Sequence, residues 1–445
     1  MAFRLPVLLA LVALALMPPV ARAATTAIDG PSAALTADQF VATAASPDGH
    51  AAVAYLKQVG GVPRVFASRL SGETWSAPVQ VDANLPAGFS SEAPSVGVAR
   101  GGKVVVLFPS EVGAGKRVYA AVAPSAGQPF GGATVVAGDP AYKFAKLALA
   151  PNGDGYAVLR TEPAGNPDLY AVQYRNGTWT PLGGSFPAGA LDATASNPAA
   201  EDDVHGFEVA TAENETAGVV VWTESVGIGQ YQLFARRFTG AAIGAAVPAT
   251  TPGETLDGHA RSDLASDMAD VAMDGGGTAW VAFRQAYTYG AQDRFRGLAR
   301  SFDGAAFGPL QVTDGLGSAP AENVEYQSLA VNGSGRGIVA TYRGLTNVAE
   351  GSALNGGSWL SSAFPLSPGP ADSASRASVA LSDSGGGLYA FRHSAGGGAQ
   401  PVILGRVRDA TGALGAPQTL SSAAFGQAGS PFAAAASDGF AVTAF

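Results

Sequence analysis

The sequence predicts an all-β chain folded as a β-propeller of four-stranded antiparallel blades, eight units to the ring. Three observations predict it. A plan of four short strands returns along the chain with a mean spacing of about 56 residues, near the upper end of propeller repeats. The turn inside each unit carries Gly, Asp-Gly or Asn-Gly. Helical periodicity is nearly absent, and 59 glycines stand against a charged fraction of 14%, as suits tight turns between apolar strands.

The first unit, Phe40 to Asp82, shows why the plan folds. VATAA and HAAVAYL are short apolar runs flanking Ser46-Pro47-Asp48-Gly49, and Asp-Gly supplies the positive-φ positions of a tight hairpin. RVFASRL alternates apolar with polar residues, as a half-buried strand does. Ser71-Gly72 then turns the chain into TWSAPVQV, where Pro78 argues for a rim strand because it cannot donate to a ladder. The Ala-rich first strand suits a crowded inner position.

The same turn recurs at Gly101-Gly102, Asn152-Gly153, Ala217-Gly218, Gly275-Gly276, Ser334-Gly335, Gly385-Gly386 and Asp438-Gly439. Units therefore run about 40–82, 93–138, 144–185, 207–250, 268–314, 327–367 and 377–420. The eighth, 432–445, holds only two strands. Residues 25–35 resemble the rim strand and exit of unit one, so the expected ring closes with a composite last blade. Seven blades with an irregular seam is the alternative. The one stretch with any helical character is Glu254 to Asp270, interrupted by Gly258.

Ahead of the units, Arg4, an apolar run from Leu5 to Met17 and Ala21-Arg22-Ala23 read as an export signal over 1–23. The run falls short of the roughly 18 apolar residues of a spanning helix, and no later stretch reaches it. The expectation is a chain secreted or held at the cell surface without a membrane span. Its 26 Lys+Arg against 35 Asp+Glu give −9, and removing Arg4 and Arg22 leaves 24 against 35, or −11. That balance argues against nucleic acid, whose binding rests on neutralising phosphates with cations. The absence of cysteine excludes disulfides, thiol catalysis and thiolate metal sites.

At Ser68 to Trp75 (SRLSGETW) and Ala299 to Phe307 (ARSFDGAAF) the chain resembles the Asp-box hairpin of sialidase-like, BNR-type β-propellers. Unit one keeps Ser68, Gly72, Thr74 and Trp75 but has Leu70 in the Asp place; unit five keeps Ser301, Asp303 and Phe307, with Gly304 one place early. The resemblance implies the propeller fold, since such hairpins occur in binding proteins and glycosidases alike. The family's catalytic set of three arginines, a Tyr–Glu pair and an Asp finds no counterpart, because the one Arg-Pro-like start lies at Arg4.

Two constellations stand out. Arg160, Arg284, Arg343 and Arg392 follow the second strands of units three, five, six and seven, where they would ring one face and bind a carboxylate or sulfate. The competing expectation is that each caps a strand end or pairs with a neighbouring acid. Glu201, Asp202, Asp203 and His205 precede unit four, and Asp257, His259, Asp263, Asp267 and Asp270 precede unit five. These residues would hold Ca²⁺ or a divalent transition metal if they converged, and otherwise form solvated loop charge. No other cofactor is expected.

The absence of catalytic motifs leads to a first expectation of an exported, monomeric, non-enzymatic propeller that binds a carbohydrate or an extracellular protein. The alternative is a glycan hydrolase or lyase that holds an anionic sugar with Arg284, Arg343 and Arg392. A carboxylate or tyrosine pair beneath the arginines would favour the alternative.

Overall fold

The computed structural model describes residues 26, 28–29 and 41–445, apart from 113–114, 138–141, 162–166, 184–188, 193–203, 214–216, 228–229, 252, 263–266, 319, 361, 369–372, 395–400, 422–429 and 437–440. Seven antiparallel blades follow one another along the chain. Their inner strands are Val41–Ala45, Ser95–Ala99, Tyr142–Leu149, Val204–Thr211, Asp267–Met273, Val324–Val331 and Ser373–Leu381. The second strands are Ala51–Val59, Lys103–Val112, Gly155–Thr161, Ala217–Gly227, Ala279–Tyr289, Gly337–Arg343 and Gly387–Ser394. The third are Val62–Ser71, Gly115–Ala123, Leu169–Arg175, Gln230–Thr239, Gln292–Phe302, Val348–Asn355 and Val402–Arg408. Inner, second and third strands pair in sequence order, so every blade is a meander, with the third strand also holding a second rim piece in three of them.

A two-stranded hairpin, Phe432–Ala435 with Ala441–Ala444, packs between the inner strands of blades 7 and 1 and completes the ring. The ring among the described residues is thus seven full blades and one two-stranded unit, rather than eight blades. The rim strand expected from residues 25–35 lies largely outside the described residues; Asp29 accepts from the Tyr55 hydroxyl at 2.9 Å and pairs with Lys57 at 2.8 Å. The segment 1–23 and the turn Asp438-Gly439 also lie outside them.

Rim strands are short and often divided. In blade 1 the rim consists of Thr74–Trp75 and Val79–Gln80, both paired with the third strand, and Pro78 falls in the gap. Blades 4 and 6 repeat this with Ala242–Ile243 and Val247–Pro248, and with Ser358–Trp359 and Phe364–Pro365. A proline has no N–H to give, so the ladder breaks where the rim can tolerate it.

Aliphatic and aromatic residues fill the seams between blades. Trp222, wholly buried, packs with Phe207, Phe234 and Phe238 where blade 4 meets blade 3. Glu254 to Asp270 holds no helix in its described part. Thr255–Leu256 pairs with His259–Ala260 around Asp257 (φ 51°) and Gly258 (φ 80°), two consecutive left-handed residues that make a hairpin turn and stop a helix.

Candidate functional site

In a meander blade the link from second to third strand and the link to the next blade open on one face. This loop face carries the sequence-predicted arginines. Arg160, Arg284 and Arg392 lie five residues beyond Gly155, Ala279 and Gly387, the first residues of their strands; Arg343 lies six beyond Gly337. Blade 6 therefore places Tyr342 at the shared position and turns Arg343 to the other side of its sheet. The four are not equivalent, and described acids or rings hold three of them. Arg284 pairs with Glu325 at 3.1 Å and lies 4.4 Å from the centre of the Phe295 ring. Arg343 pairs with Glu322 at 3.0 Å and with Glu350. Arg160 lies over Phe144 at 5.4 Å, and Arg392 is half-buried opposite Ser375.

Of the residues proposed for a metal, Asp202, Asp203 and Asp263 fall outside the described residues, as does the side chain of His205. Asp257 lies 3.6 Å from Arg296, and the His259 ring packs at 4.1 Å on Tyr289. Among the described residues no three metal-binding side chains converge. Asp270 is not in the acidic connection at all but in the inner strand of blade 5.

The inner strands bring together a group that the sequence reading did not assemble. Lys146, Glu208 and Asp270 occupy the same level on three consecutive inner strands: they pair with Val158, Val221 and Ala282, each three residues beyond the residue (Gly155, Gly218 or Ala279) that pairs with the last residue of the inner strand. In blades 2, 6 and 7 this level holds Ser95, Ser328 and Ser378, whose hydroxyls accept the N–H of Leu147, Val379 and Ala433 on the following inner strand at 3.0, 3.3 and 3.0 Å. Asp270 does the same for Leu329 at 2.8 Å through Oδ2, while Oδ1 accepts from its neighbour Val271 at 2.9 Å. Blades 3 and 4 depart from this stitch: Lys146 Nζ reaches Glu208 Oε1 at 2.6 Å.

Deep as this level is, the Lys146 and Glu208 side chains remain 44% and 33% exposed, so they face the open axis of the ring. The charge of Glu208 holds the Lys146 ammonium above its ordinary range, against burial. Burial, reinforced by the charge of Glu208, lifts the Asp270 carboxyl to about 7 even though two backbone N–H groups pull it down. Asp270 is thus about half protonated near neutrality, and Glu208 sits beside a cation.

A second acidic group lies in the seam between blades 3 and 4, and it also departs from a repeated device. One residue in each of several third strands donates its N–H to the residue leaving the rim: Val65 to Asp82 at 3.1 Å, Leu169 to Asp192 at 3.1 Å, Gly297 to Asp314 at 2.6 Å and Ile403 to Ser421 at 2.9 Å. In blades 1 and 5 the preceding residue is Arg64 or Arg296, and it neutralises the aspartate. In blade 3 it is Asp168, whose Oδ2 accepts from the Tyr170 hydroxyl at 3.1 Å. Asp192 is buried with no hydrogen-bond partner for Oδ2 among the described residues. From blade 4, Glu224 and Arg236 act on it across the seam, and Trp222 Nε1 donates to Glu224 at 2.9 Å.

Burial first, then the charges of Asp168 and Glu224, lift Asp192 from 3.8 to about 7. The folded chain therefore holds a proton that the unfolded chain releases. Stability from this group is fully present below about 3.8 and is lost as pH rises to about 7. Asp270 adds to the slope in the same direction. The thermal midpoint of Asp192→Asn is expected to fall less over this range than that of the unsubstituted protein, and Asp168→Arg, which rebuilds the ion pair of blades 1 and 5, should flatten it likewise. Unchanged slopes in both variants would rule out the assignment.

A cavity of about 270 Å³ lies on the opposite face between blades 1 and 2, lined by His50, Leu70, Trp75 and Val104 among others. It holds no carboxylate and is remote from both groups.

No protein-family model matches the chain, and no curated protein sequence matches it. Solved structures do resemble it. A family PL25 ulvan lyase bound to -[GlcA(1-4)Rha3S]- superposes with a TM-score of 0.49 at 11% identity, over 84% of this chain and 94% of that one. An α-L-arabinanase from Penicillium chrysogenum complexed with arabinobiose gives 0.46 at 12% identity, over 88% and 99%. An α-L-arabinofuranosidase from Fusarium graminearum gives 0.42 at 12%, over 83% and 92%. Likeness at this identity concerns the fold. These three are glycan-processing enzymes, and against this finding the first expectation, a non-enzymatic binding module, does not stand.

Proposed function

We propose that the protein hydrolyses glycosidic bonds in an acidic glycan at the axis of its loop face. The observation that carries this reading is the Lys146–Glu208–Asp270 group. Glycoside hydrolysis needs two carboxyl groups in different protonation states, one to protonate the leaving oxygen and one to act as base or nucleophile. Asp270, lifted to about 7, is suited to give its proton to the glycosidic oxygen as the bond to the anomeric carbon breaks. Glu208, beside the Lys146 ammonium at 2.6 Å, supplies the second carboxylate. Aromatic side chains stand one layer nearer the loop face, Phe144 two residues before Lys146 and Tyr326 two before Ser328, where a sugar ring entering along the axis meets them first. The export signal read over 1–23 would put this activity outside the cell.

The test is incubation of the full chain with polygalacturonate, alginate and neutral arabinan. New reducing ends from an acidic polymer, without the ultraviolet absorbance of an unsaturated uronate, are expected. Reducing ends accompanied by that absorbance would replace hydrolysis with elimination, and no product from any polymer would overturn the reading.

A further inference from the structure

Arg376 is the fourth residue of the inner strand of blade 7, and its backbone stands at φ 39°, in the left-handed region that side chains with a Cβ avoid. The ladder slips at this point. Ser375 pairs with Arg392 and Ala377 with Phe391, so Arg376 is the extra, unpaired residue of a bulge. A bulge re-aims a side chain, and a strained non-glycine residue persists only where its surroundings hold it. Here the Tyr326 ring lies under the guanidinium at 5.8 Å, with Tyr342 stacked behind Tyr326 at 6.3 Å. On the other side Nη1 donates to the hydroxyl of Ser430, itself buried, at 2.8 Å. The side chain thus bridges blade 6 and the last unit across the mouth of the axis, while the residue remains exposed.

Among the described residues the charge is uncompensated. Arg64, Arg284, Arg296, Arg300 and Arg343 each pair with a carboxylate, whereas no carboxylate of the described residues pairs with Arg376. A guanidinium has five N–H donors in a fixed fork, and one contact to Ser430 leaves most of that fork for a ligand. Register puts a second guanidinium, Arg392, beside the bulge. Arg376 precedes Ser378, which shares the level of the axial carboxylates, by two residues, or roughly 7 Å along a strand.

We infer that Arg376 reads an anionic group of the glycan, a carboxylate or a sulfate ester, at the mouth of the axis one layer above Glu208 and Asp270. The bulge aims the fork, the Tyr326 ring holds it flat and Ser430 fixes its roll. The inference rests on the proposed hydrolysis only in calling the bound anion part of a substrate; binding itself is independent of turnover.

Calorimetric titration of the full chain at low salt with glucuronate, glucose and inorganic sulfate tests it. Glucuronate or sulfate is expected to bind and glucose not. Binding by glucuronate alone would identify a carboxylate, and competition between sulfate and glucuronate would extend the site to sulfate esters. Arg376→Gln should weaken the anion on the order of 10- to 100-fold, as loss of a charge-assisted contact does, and Arg376→Lys should recover only part because the fork is gone. Arg376→Gly should lose binding while its thermal midpoint holds or rises, since glycine adopts the left-handed backbone freely. Unchanged anion affinity in Arg376→Gln, or equal binding of glucose and glucuronate, would overturn the inference. Loss of binding in Arg376→Gln without turnover of any polymer would leave it standing and remove the proposed hydrolysis instead.

Discussion

Asp270→Asn and Glu208→Gln are each expected to lower kcat by about 10²–10⁴, the usual contribution of a positioned acid or base, with little change in substrate affinity. Both variants keep a hydrogen-bonding group of the same size. An asparagine at 270 still offers an oxygen to the Leu329 N–H, which the aspartate meets at 2.8 Å, so the stitch between blades 5 and 6 survives. What disappears is the transferable proton. The rate of the unsubstituted protein should fall as pH rises past about 7, where Asp270 loses that proton. The residual activity of Asp270→Asn should lack this alkaline limb. Glu208→Gln also removes the partner of Lys146, but that ammonium is half-exposed and water can take over. Steady-state rates over a pH series decide the matter. Either variant retaining half of the original kcat would remove its residue from the chemistry.

Arg296→Ala is expected to destabilise the fold by about 3–5 kcal/mol, the range for stripping one partner from a buried ion pair. Arg296 is 1% exposed and meets Asp314 through two contacts, Nε to Oδ2 and Nη2 to Oδ1, both at 3.0 Å. Nη1 also donates to the Tyr289 hydroxyl at 2.9 Å. Without the guanidinium, the Asp314 carboxylate keeps, among the described residues, the N–H groups of Gly297 and Leu316, at 2.6 and 2.9 Å. Replacing both charges, as in Arg296→Met with Asp314→Leu, should recover much of the loss, because a buried pair often does little better than well-packed hydrocarbon. Chemical denaturation of the two variants checks this. A loss under 1 kcal/mol in Arg296→Ala would mean that water reaches the pair.

Architecture was readable because it depends on features that recur. Asp48-Gly49 and its counterparts mark the inner hairpins, and Pro78 marks a rim strand, each for a local steric reason. The site was harder because its residues are about 60 positions apart in sequence. Aligning the inner strands would have shown it. Four residues before Ser46, Ala99, Ala150, Ala212, Asp274, Asn332 and Ser382 the chain reads Ala42, Ser95, Lys146, Glu208, Asp270, Ser328 and Ser378. Small residues fill that column except in three consecutive repeats. Asp270 was instead grouped with the loop acids beside it, since the bulge between Asp267 and Asp270 hides where the strand begins. Arg343 was misplaced for a related reason, the one additional residue in Gly337–Arg343. Arg376 left no signal, because SASRAS gives no hint that the arginine falls on a bulge.

The divided rims bear on how this molecule behaves among its own copies. A sheet edge recruits another chain by offering a straight run of unpaired N–H and C=O groups. Here most of the outermost pieces, such as Thr74–Trp75, Gln311–Val312 and Gln418–Thr419, are two residues long, Thr134–Ala137 and Thr178–Pro181 run to four, and Val247–Pro248, Phe364–Pro365 and Thr178–Pro181 end on proline. Among the described residues, pieces this short offer little for a second ring to pair with edge to edge. Divided rims thus disfavour strand-to-strand association for a geometric reason, separate from surface charge.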